Sequence, residues 1–307
     1  MNSINISYLK KVDNVDKSSK KTKRNIVVNN FFCENNIFIC DKIRDSIPNY
    51  SDKFEILTSA ISLFTSDQKK EENEKDLYLL EYENNEEDLT SFFELKNDQK
   101  IVIHTYQKLL RHLLLLQKAN IVHFNINYET ICFDKKHRVL LRDWSNAIST
   151  STSTTIPSIL SINTTITTNS PLEIYVLSHI KKDKKANTLN RESIESICKT
   201  YVDNPYLSFI TSSSKDKLYS KSLDFIMPLI DMPREKIIHE MMKYSHTWDN
   251  YSLTIIYLHI IASFKHKSAF FLDLFRLLNK ILLTKADIPE TIDAFDSLLF
   301  RFARMAI

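Results

Sequence analysis

The clearest pattern in the chain is a helical stripe of apolar residues between Gln99 and Lys118. Its members are Ile101, Ile103, Tyr106, Leu109, Leu110, Leu113 and Leu116. Apolar residues that recur every three or four positions gather on one side of a helix, while polar residues cover the other side. The stripe therefore predicts a long helix that buries one face in a larger domain.

Further helices are predicted over most of the C-terminal part of the chain. Helical spacing or a continuous apolar run marks Ile174–Ile180, Arg191–Tyr201, Arg234–Tyr244, Leu253–Ala262, Phe270–Leu283 and Ile292–Phe302. Short apolar runs rich in β-branched residues instead predict strands at Ile26–Phe32, Ile37–Ile43, Leu77–Tyr82, Ile131–Phe133 and Val139–Leu141. The first two runs flank Glu34-Asn35-Asn36 and are interpreted as a hairpin. The pattern predicts an α+β protein.

Composition narrows the class of protein further. The 307 residues are 43% hydrophobic, which excludes general disorder. No apolar run is long enough for a transmembrane helix, and the N-terminus lacks the apolar segment of a signal peptide. The four cysteines have no metal-ligand or paired spacing, so we expect reduced cysteines in an intracellular, cytoplasmic protein.

The candidate chemistry lies between residues 121 and 147. The sequence His123-Phe124-Asn125 follows the predicted long helix, and Thr130 stands five residues after Asn125. Two predicted strands then lead to Asp143-Trp144-Ser145. This order resembles the active site of eukaryotic-type protein kinases, whose active members have His-Arg-Asp, a metal-binding Asn and Asp-Phe-Gly at these places.

The resemblance covers roughly residues 77 to 300 and is closest to the divergent kinase-like proteins of large DNA viruses. It implies a two-lobed fold, with a small antiparallel β-rich lobe over residues 1–84 and a larger helical lobe over residues 85–307. Residues 145–173, rich in Ser and Thr, would be the activation segment, which ends at Glu173 in Ser-Pro-Leu-Glu. Such a viral protein would be located in the cytoplasm of its host cell.

The resemblance assigns the catalytic-base position to Asn125, and a carboxamide cannot accept a proton at neutral pH. Thr130 takes the place of the second metal-binding residue. Asp143 remains as a carboxylate ligand for Mg²⁺. One carboxylate and the phosphates of ATP could still hold a single Mg²⁺, so ATP and Mg²⁺ are the cofactors that the resemblance implies.

Candidate nucleotide-binding residues are Lys42, Glu81, Tyr82 and Cys132. Lys42 shares a strand face with Cys40, and Glu55 is the nearest carboxylate that could pair with it. The chain contains no glycine, so a glycine-rich loop over the phosphates cannot form. Turns that need a positive φ must use other residues, for which we expect Asn or Asp.

Three residues match positions with architectural roles in the family. His123 would pack against Trp144, and Asp249, at the start of the predicted central helix, would accept hydrogen bonds from the catalytic-loop backbone. Glu173 would need a cationic partner, and no Arg stands at a convincing spacing near the C-terminus. Compared with an active kinase, the replaced residues thus stand at catalytic positions, and the retained residues stand at packing positions.

The leading hypothesis is a pseudokinase that binds another protein as a scaffold or regulator. The alternative is a weakly active, unconventional Ser/Thr protein kinase that uses Lys42, Asp143 and Mg²⁺–ATP. A third hypothesis, nucleic-acid binding through Lys10–Arg24, rests on seven basic residues against two acidic ones and is the least supported.

Overall fold

The computed structural model describes residues 9–11, 27–29, 77–80, 87–96, 98–133, 137, 139–141, 147–150, 169–182 and 188–305. Packing divides the chain into two units. The first comprises Met1–Asp98 and Tyr128–Ser149, and the second comprises Gln99–Asn127 and Thr150–Ile307. The first unit thus combines the segment predicted as the small lobe with residues 85–98 and with residues 128–149, which follow the predicted long helix.

The described strands are β1 (Leu9–Lys11), β2 (Val27–Asn29), β3 (Leu77–Leu80), β4 (Glu87–Asp88), β5 (Ile121–Val122), β6 (Ile131–Phe133), β7 (Val139–Leu141) and β8 (Ile148–Ser149). The described helices are α1 (Leu89–Lys96), α2 (Gln99–Lys118), α3 (Leu172–Lys182), α4 (Arg191–Val202), α5 (Ser212–Ile226), α6 (Arg234–Met242), α7 (Ser245–Ser263), α8 (Ala269–Thr284) and α9 (Ile288–Met305). The chain is therefore a mainly helical α+β protein, and the predicted fold class is confirmed at this level.

The first unit contains two small antiparallel sheets. In one, β3 lies between β1 and β2. In the other, β6 lies between β4 and β7, with Cys132 opposite Leu140. The ring of Phe92 in α1 stacks on Phe133 of β6 at a centroid distance of 3.6 Å, so α1 is fixed to this second sheet.

Several strand predictions agree with these sheets. The segments predicted at 131–133 and 139–141 are β6 and β7, and they pair with each other. The strand predicted from Leu77 is β3. Residues 27–29 of the predicted hairpin form β2, which pairs with β3, whereas residues 37–43 lie outside the described part of the chain.

The second unit is organised around α7. All six residues from Leu253 to Leu258 are buried, and six consecutive helical residues point in every direction around the axis. Helix α7 is therefore enclosed by its neighbours. Tyr106 of α2 lies 4.6 Å from Tyr257 of α7 and 5.1 Å from Phe295 of α9, measured between ring centroids.

The predicted helices are all present within the described residues. The bounds of α2 match the prediction, and α3, α4 and α6 differ from it by only one or two residues at either end. Helix α7 begins eight residues before the predicted run, and α8 and α9 are longer than predicted. The sequence pattern missed α5, whose buried side chains are only Leu218, Ser222 and Ile226.

Positive φ angles occur at five of the described residues. Asn120 and Asp231 agree with the expectation that Asn or Asp would take these positions, but Phe124, His137 and Lys285 do not. A bulky side chain in the left-handed region is unfavourable and requires support from its surroundings. Two of these three, Phe124 and Lys285, belong to the candidate site described below.

Two further predictions can be compared with the structure. Within the described ranges, no helix is both long and apolar enough to cross a membrane. The described cysteines, Cys132 and Cys198, are both buried free thiols. Burial raises the pKa of the Cys198 thiol to about 12, so it remains protonated and unreactive at neutral pH.

Candidate functional site

The candidate site in the second unit is the loop from His123 to Asn127. Helix α2 ends at Lys118, and Asn120 turns the chain in the left-handed conformation, with its N–H donating to the carbonyl oxygen of Gln117 at 2.9 Å. Strand β5 then leads into the loop. The loop therefore follows closely after helix α2, which is itself packed in the core.

Asp249 of α7 holds the beginning of this loop. Its Oδ2 accepts a hydrogen bond from the backbone N–H of His123 at 2.7 Å, and its Oδ1 accepts one from that of Phe124 at 2.9 Å. These are the hydrogen bonds that the sequence analysis expects from Asp249. Both oxygens of one buried carboxylate thus fix two consecutive peptide groups.

The protonation of Asp249 reflects two opposing effects. Burial disfavours the charged carboxylate and raises its pKa, while the two backbone N–H groups stabilise the charge and lower it. Burial has the larger effect, and the pKa of Asp249 is raised to about 6. The hydrogen bonds to the loop therefore depend on a group that titrates in a mildly acidic range.

Phe124, the residue after His123, has a left-handed backbone conformation. Its φ is 63°, and its ring lies 5.4 Å from the ring of Trp248, the residue before Asp249. The aromatic contact adds to the backbone hydrogen bonds, since tilted aromatic pairs at this distance attract each other. Two neighbouring residues of α7 therefore stabilise the left-handed conformation of Phe124.

Asn125 and Asn127 occupy the part of the loop where a catalytic base is expected. Both are half-buried, and Nδ2 of Asn127 donates to Oδ1 of Asn125 at 2.8 Å. Residues 123–127 contain no Asp, Glu, Lys or Arg. The loop therefore presents two mutually bonded carboxamides, which can neither remove a proton from a hydroxyl nor neutralise a phosphate.

A second segment, just before α3, is tied to the same loop. The side-chain amide of Asn169 donates to the carbonyl oxygen of Ile126. The hydroxyl of Ser252 lies 3.0 Å from the carbonyl oxygen of Asn169 and 3.1 Å from that of Trp248. The first two turns of α7 thus organise both the loop and the segment that leads into α3.

Glu173, in the first turn of α3, is fully buried and pairs with Lys285. The distance from Lys285 Nζ to Glu173 Oε1 is 2.7 Å. The ammonium group also lies 3.5 Å from the centroid of the Phe225 ring, a cation–π contact. The cationic partner of Glu173 is therefore a Lys and not the Arg expected from sequence, and it stands 112 residues further along the chain.

Lys285 is held in place by the turn between α8 and α9. It ends α8 in the left-handed conformation, with φ of 52°. Nδ2 of Asn250 donates to the carbonyl oxygen of Ala286 at 2.8 Å and to Oγ1 of Thr291 at 2.8 Å. Asn250 directly follows Asp249, so adjacent residues of α7 fix the loop and the turn that carries Lys285.

Two of the candidate residues that the structure describes lie in the first unit. Thr130 is buried in the turn before β6, and Cys132 is buried within β6. The Sγ atom of Cys132 makes a weak contact of 3.9 Å with the carbonyl oxygen of Leu140 in β7. The backbone N–H of Leu89, at the start of α1, donates to the carbonyl oxygen of Tyr128 and connects α1 to this turn.

The remaining candidates are Lys42, Glu81, Tyr82, Asp143 and Trp144, and all lie outside the described residues. Their predicted roles in binding nucleotide and metal, and the packing of His123 against Trp144, therefore stay predictions. His123 itself is buried. Within the described ranges, no three His, Cys, Asp or Glu side chains converge in a way that could hold a metal ion.

Comparison with known proteins provides no family for the chain. No protein-family model matches it, and no curated protein shows a significant match.

Proposed function

We propose that the chain is a kinase-like protein of the pseudokinase type, which acts as a scaffold or regulator by binding another protein. The observation that carries this proposal is the state of the loop 123–127. Asp249 supplies the architectural hydrogen bonds of a kinase catalytic loop, while the base position holds a carboxamide bonded to Asn127. Support for the loop is retained, and the group that would perform the chemistry is replaced.

The Glu173–Lys285 pair supports the same proposal. A buried carboxylate after the segment 145–173 needs a cation, and a Lys between α8 and α9 supplies it. The two-lobed fold implied by the resemblance remains part of the proposal. Its small lobe would comprise residues 1–84, and its larger lobe would comprise residues 85–307, which contain α1 to α9.

Loss of the carboxylate at Asn125 has a direct consequence for phosphoryl transfer. General-base assistance commonly contributes about 10²- to 10⁴-fold in rate, and a carboxamide contributes none of it. Without glycine, the backbone also cannot approach the phosphates as closely as a glycine-rich loop does. We therefore expect the chain to act by binding a protein.

A thermal-shift titration with ATP tests whether nucleotide is part of this function. A ligand at about 100 times its Kd stabilises its site by roughly 2.7 kcal/mol, which gives a measurable rise in melting temperature. We expect no rise that requires Mg²⁺. Asp143→Asn is the matched control, because Asp143 is the remaining candidate metal ligand.

A contrary outcome would favour the alternative function. If ATP raises the melting temperature only with Mg²⁺, and Asp143→Asn removes the effect, the chain has a functional Mg²⁺–ATP site. The weakly active Ser/Thr kinase would then be the better hypothesis.

A further inference from the structure

The solvent-exposed side of α2 carries only basic charge. The helix contains no Asp or Glu among its 20 residues. Its exposed or half-exposed basic residues are Lys100, His104, Lys108, Arg111 and Lys118. At 100° per residue, these five positions lie within about 80° of one another around the helix axis. We call them the basic face of α2.

This distribution differs from that of an ordinary solvated helix. Exposed helices usually alternate Glu and Lys at spacings of three or four residues, since such pairs attract. On α2 the basic neighbours at these spacings are Lys100 with His104, His104 with Lys108, and Lys108 with Arg111. Lys100 stands in the first turn, where the helix dipole disfavours a cation. The repulsion between these basic side chains is therefore not offset by any carboxylate of α2.

Three cations of the basic face form no ion pair within the part of the chain that the structure describes: no described carboxylate pairs with Lys108, Arg111 or Lys118. The pKa of His104 is lowered, first by partial burial and then by the positive charges of Lys108 and Arg111. Several positive charges thus act on the same region of the surface.

An exposed aromatic residue lies on the helix packed beside the basic face. Asp296 of α9 accepts a hydrogen bond from Gln107 of α2 at 3.4 Å, which brings the two helices together at the edge of the face. One turn further along α9, the Phe300 side chain is 61% exposed. The guanidinium carbon of Arg304 lies 4.7 Å from the centroid of the Phe300 ring, so the aromatic ring is accompanied by another cation.

We propose that the basic face of α2, together with Phe300, docks an acidic segment of a partner protein that also carries an apolar residue. Charge complementarity identifies the occupant. From Lys100 to Arg111 the face spans about 16 Å, which matches about five extended residues or three turns of helix. The aromatic ring supplies an apolar anchor of the kind enriched in protein interfaces.

Acidic residues of α9 argue against a nucleic acid as the occupant. Glu290 and Asp293 are exposed on the same helix as Asp296. A long polyanion that followed the basic face would meet these carboxylates, whereas a short acidic segment could avoid them. The inference also does not depend on the resemblance to kinases, because it concerns a surface away from the loop 123–127 and from the nucleotide test.

Fluorescence anisotropy with a labelled peptide tests the proposal. The probe is a short peptide of glutamate pairs separated by leucine, and the same peptide with glutamine in place of glutamate is its control. At low salt we expect binding of the acidic probe alone. The double variant Lys108→Glu/Arg111→Glu should weaken binding at least about tenfold, because it reverses two central charges.

The matched control is Lys217→Glu/Lys236→Glu, which makes the same change in net charge at exposed positions of α5 and α6. This control should bind as the wild type does, and Phe300→Ser should weaken binding with no change in net charge. Equal losses in both double variants, or no binding of the acidic probe, would overturn the proposal. Tighter binding of duplex DNA, lost in Lys108→Glu/Arg111→Glu, would assign the face to nucleic acid and overturn it as well.

Discussion

Phe124 and Asp249 show how one buried carboxylate can fix an unfavourable loop conformation. A bulky residue in the left-handed region costs roughly 1–2 kcal/mol. Phe124 adopts this conformation while Asp249 accepts hydrogen bonds from its N–H and from that of His123. The geometry of the loop therefore depends on a side chain that stands more than 120 residues away in sequence.

We expect Asp249→Ala to lower the free energy of unfolding by about 2 kcal/mol at pH 5, since two buried N–H groups would lose their acceptors. Urea denaturation followed by circular dichroism measures this difference. Asp224→Ala, at an exposed position of α5, is the control and should leave the unfolding free energy almost unchanged. Equal effects of the two substitutions would show that Asp249 does not support the loop.

The raised pKa of Asp249 predicts a pH dependence with a defined sign. The pKa is about 6 in the folded protein against an ordinary value of 3.8, so between these values the folded state holds the proton more tightly. The stability that this group contributes is complete below about pH 4 and is lost as the pH rises through about 6. The difference in unfolding free energy between wild type and Asp249→Ala should therefore narrow from pH 4 to pH 7. A difference that widens over this range would mean that the pKa of Asp249 is depressed.

Residue-level predictions from sequence succeeded where a local motif defined the contact. The resemblance at the start of the predicted central helix anticipated the hydrogen bonds that Asp249 accepts from the backbone of His123 and Phe124. The partner of Glu173 was missed, because it is a Lys far along the chain and no local pattern connects the two. The left-handed conformation of Phe124 was also unexpected, since it depends on support from α7.

At the scale of elements, the turn between α8 and α9 acts as a clamp on the start of α3. Lys285 reaches Glu173 from this turn, and Asn250 fixes the turn from α7. The Glu173 side chain is fully buried and that of Lys285 is 25% exposed, so solvent screens their interaction only weakly. The Glu173–Lys285 ion pair and the hydrogen bonds of Asn250 therefore connect four helices, α3, α7, α8 and α9.

Lys285→Met should destabilise the protein by about 3 kcal/mol, because it leaves the buried carboxylate of Glu173 without its cation. Adding Glu173→Leu should recover much of this loss, and a double-mutant cycle in urea gives the coupling between the two residues. Arg191→Met, which removes the exposed pair with Glu195, is the control and should not shift the unfolding midpoint. If the double variant is as unstable as the sum of the single variants, the two residues are not coupled.

Helix α5 shows why periodicity alone missed an element. Its buried stripe contains a Ser between Leu218 and Ile226, so the apolar signal is weak. The residue before the helix, Thr211, is its N-cap: its Oγ1 accepts a hydrogen bond from the Ser214 N–H at 3.3 Å. Capping of this kind stabilises a helix without any apolar pattern. In contrast, α2, α3 and α7 have strong apolar signals and were predicted.

Thr211→Ala should lower stability by about 1 kcal/mol through loss of this cap. Hydrogen exchange should quicken in the first turn of α5 in the variant. Ser213→Ala, an exposed position in the same turn, provides the comparison and should retain the wild-type exchange rates. Unchanged exchange in Thr211→Ala would show that the cap contributes nothing.

At the scale of the whole molecule, the sequence predicted most of the helices that the structure describes in the C-terminal part. Long amphipathic or fully apolar helices leave a strong signal, because their burial repeats over many residues. In the N-terminal part, the structure describes β2 as residues 27–29 of the run predicted at 26–32. The division of the chain into two packing units also depends on contacts distant in sequence, which periodicity does not report.

We propose that the chain keeps a kinase-like architecture and has lost phosphoryl transfer. A transfer assay with γ-labelled ATP, Mg²⁺ and the chain itself or a Ser/Thr peptide as acceptor tests this proposal. We expect no transfer above the level of Asp143→Asn, and no change in Asp249→Asn beyond that background. Mg²⁺-dependent transfer by the wild type that Asp143→Asn abolishes would contradict it, since Asn125 would then not prevent catalysis.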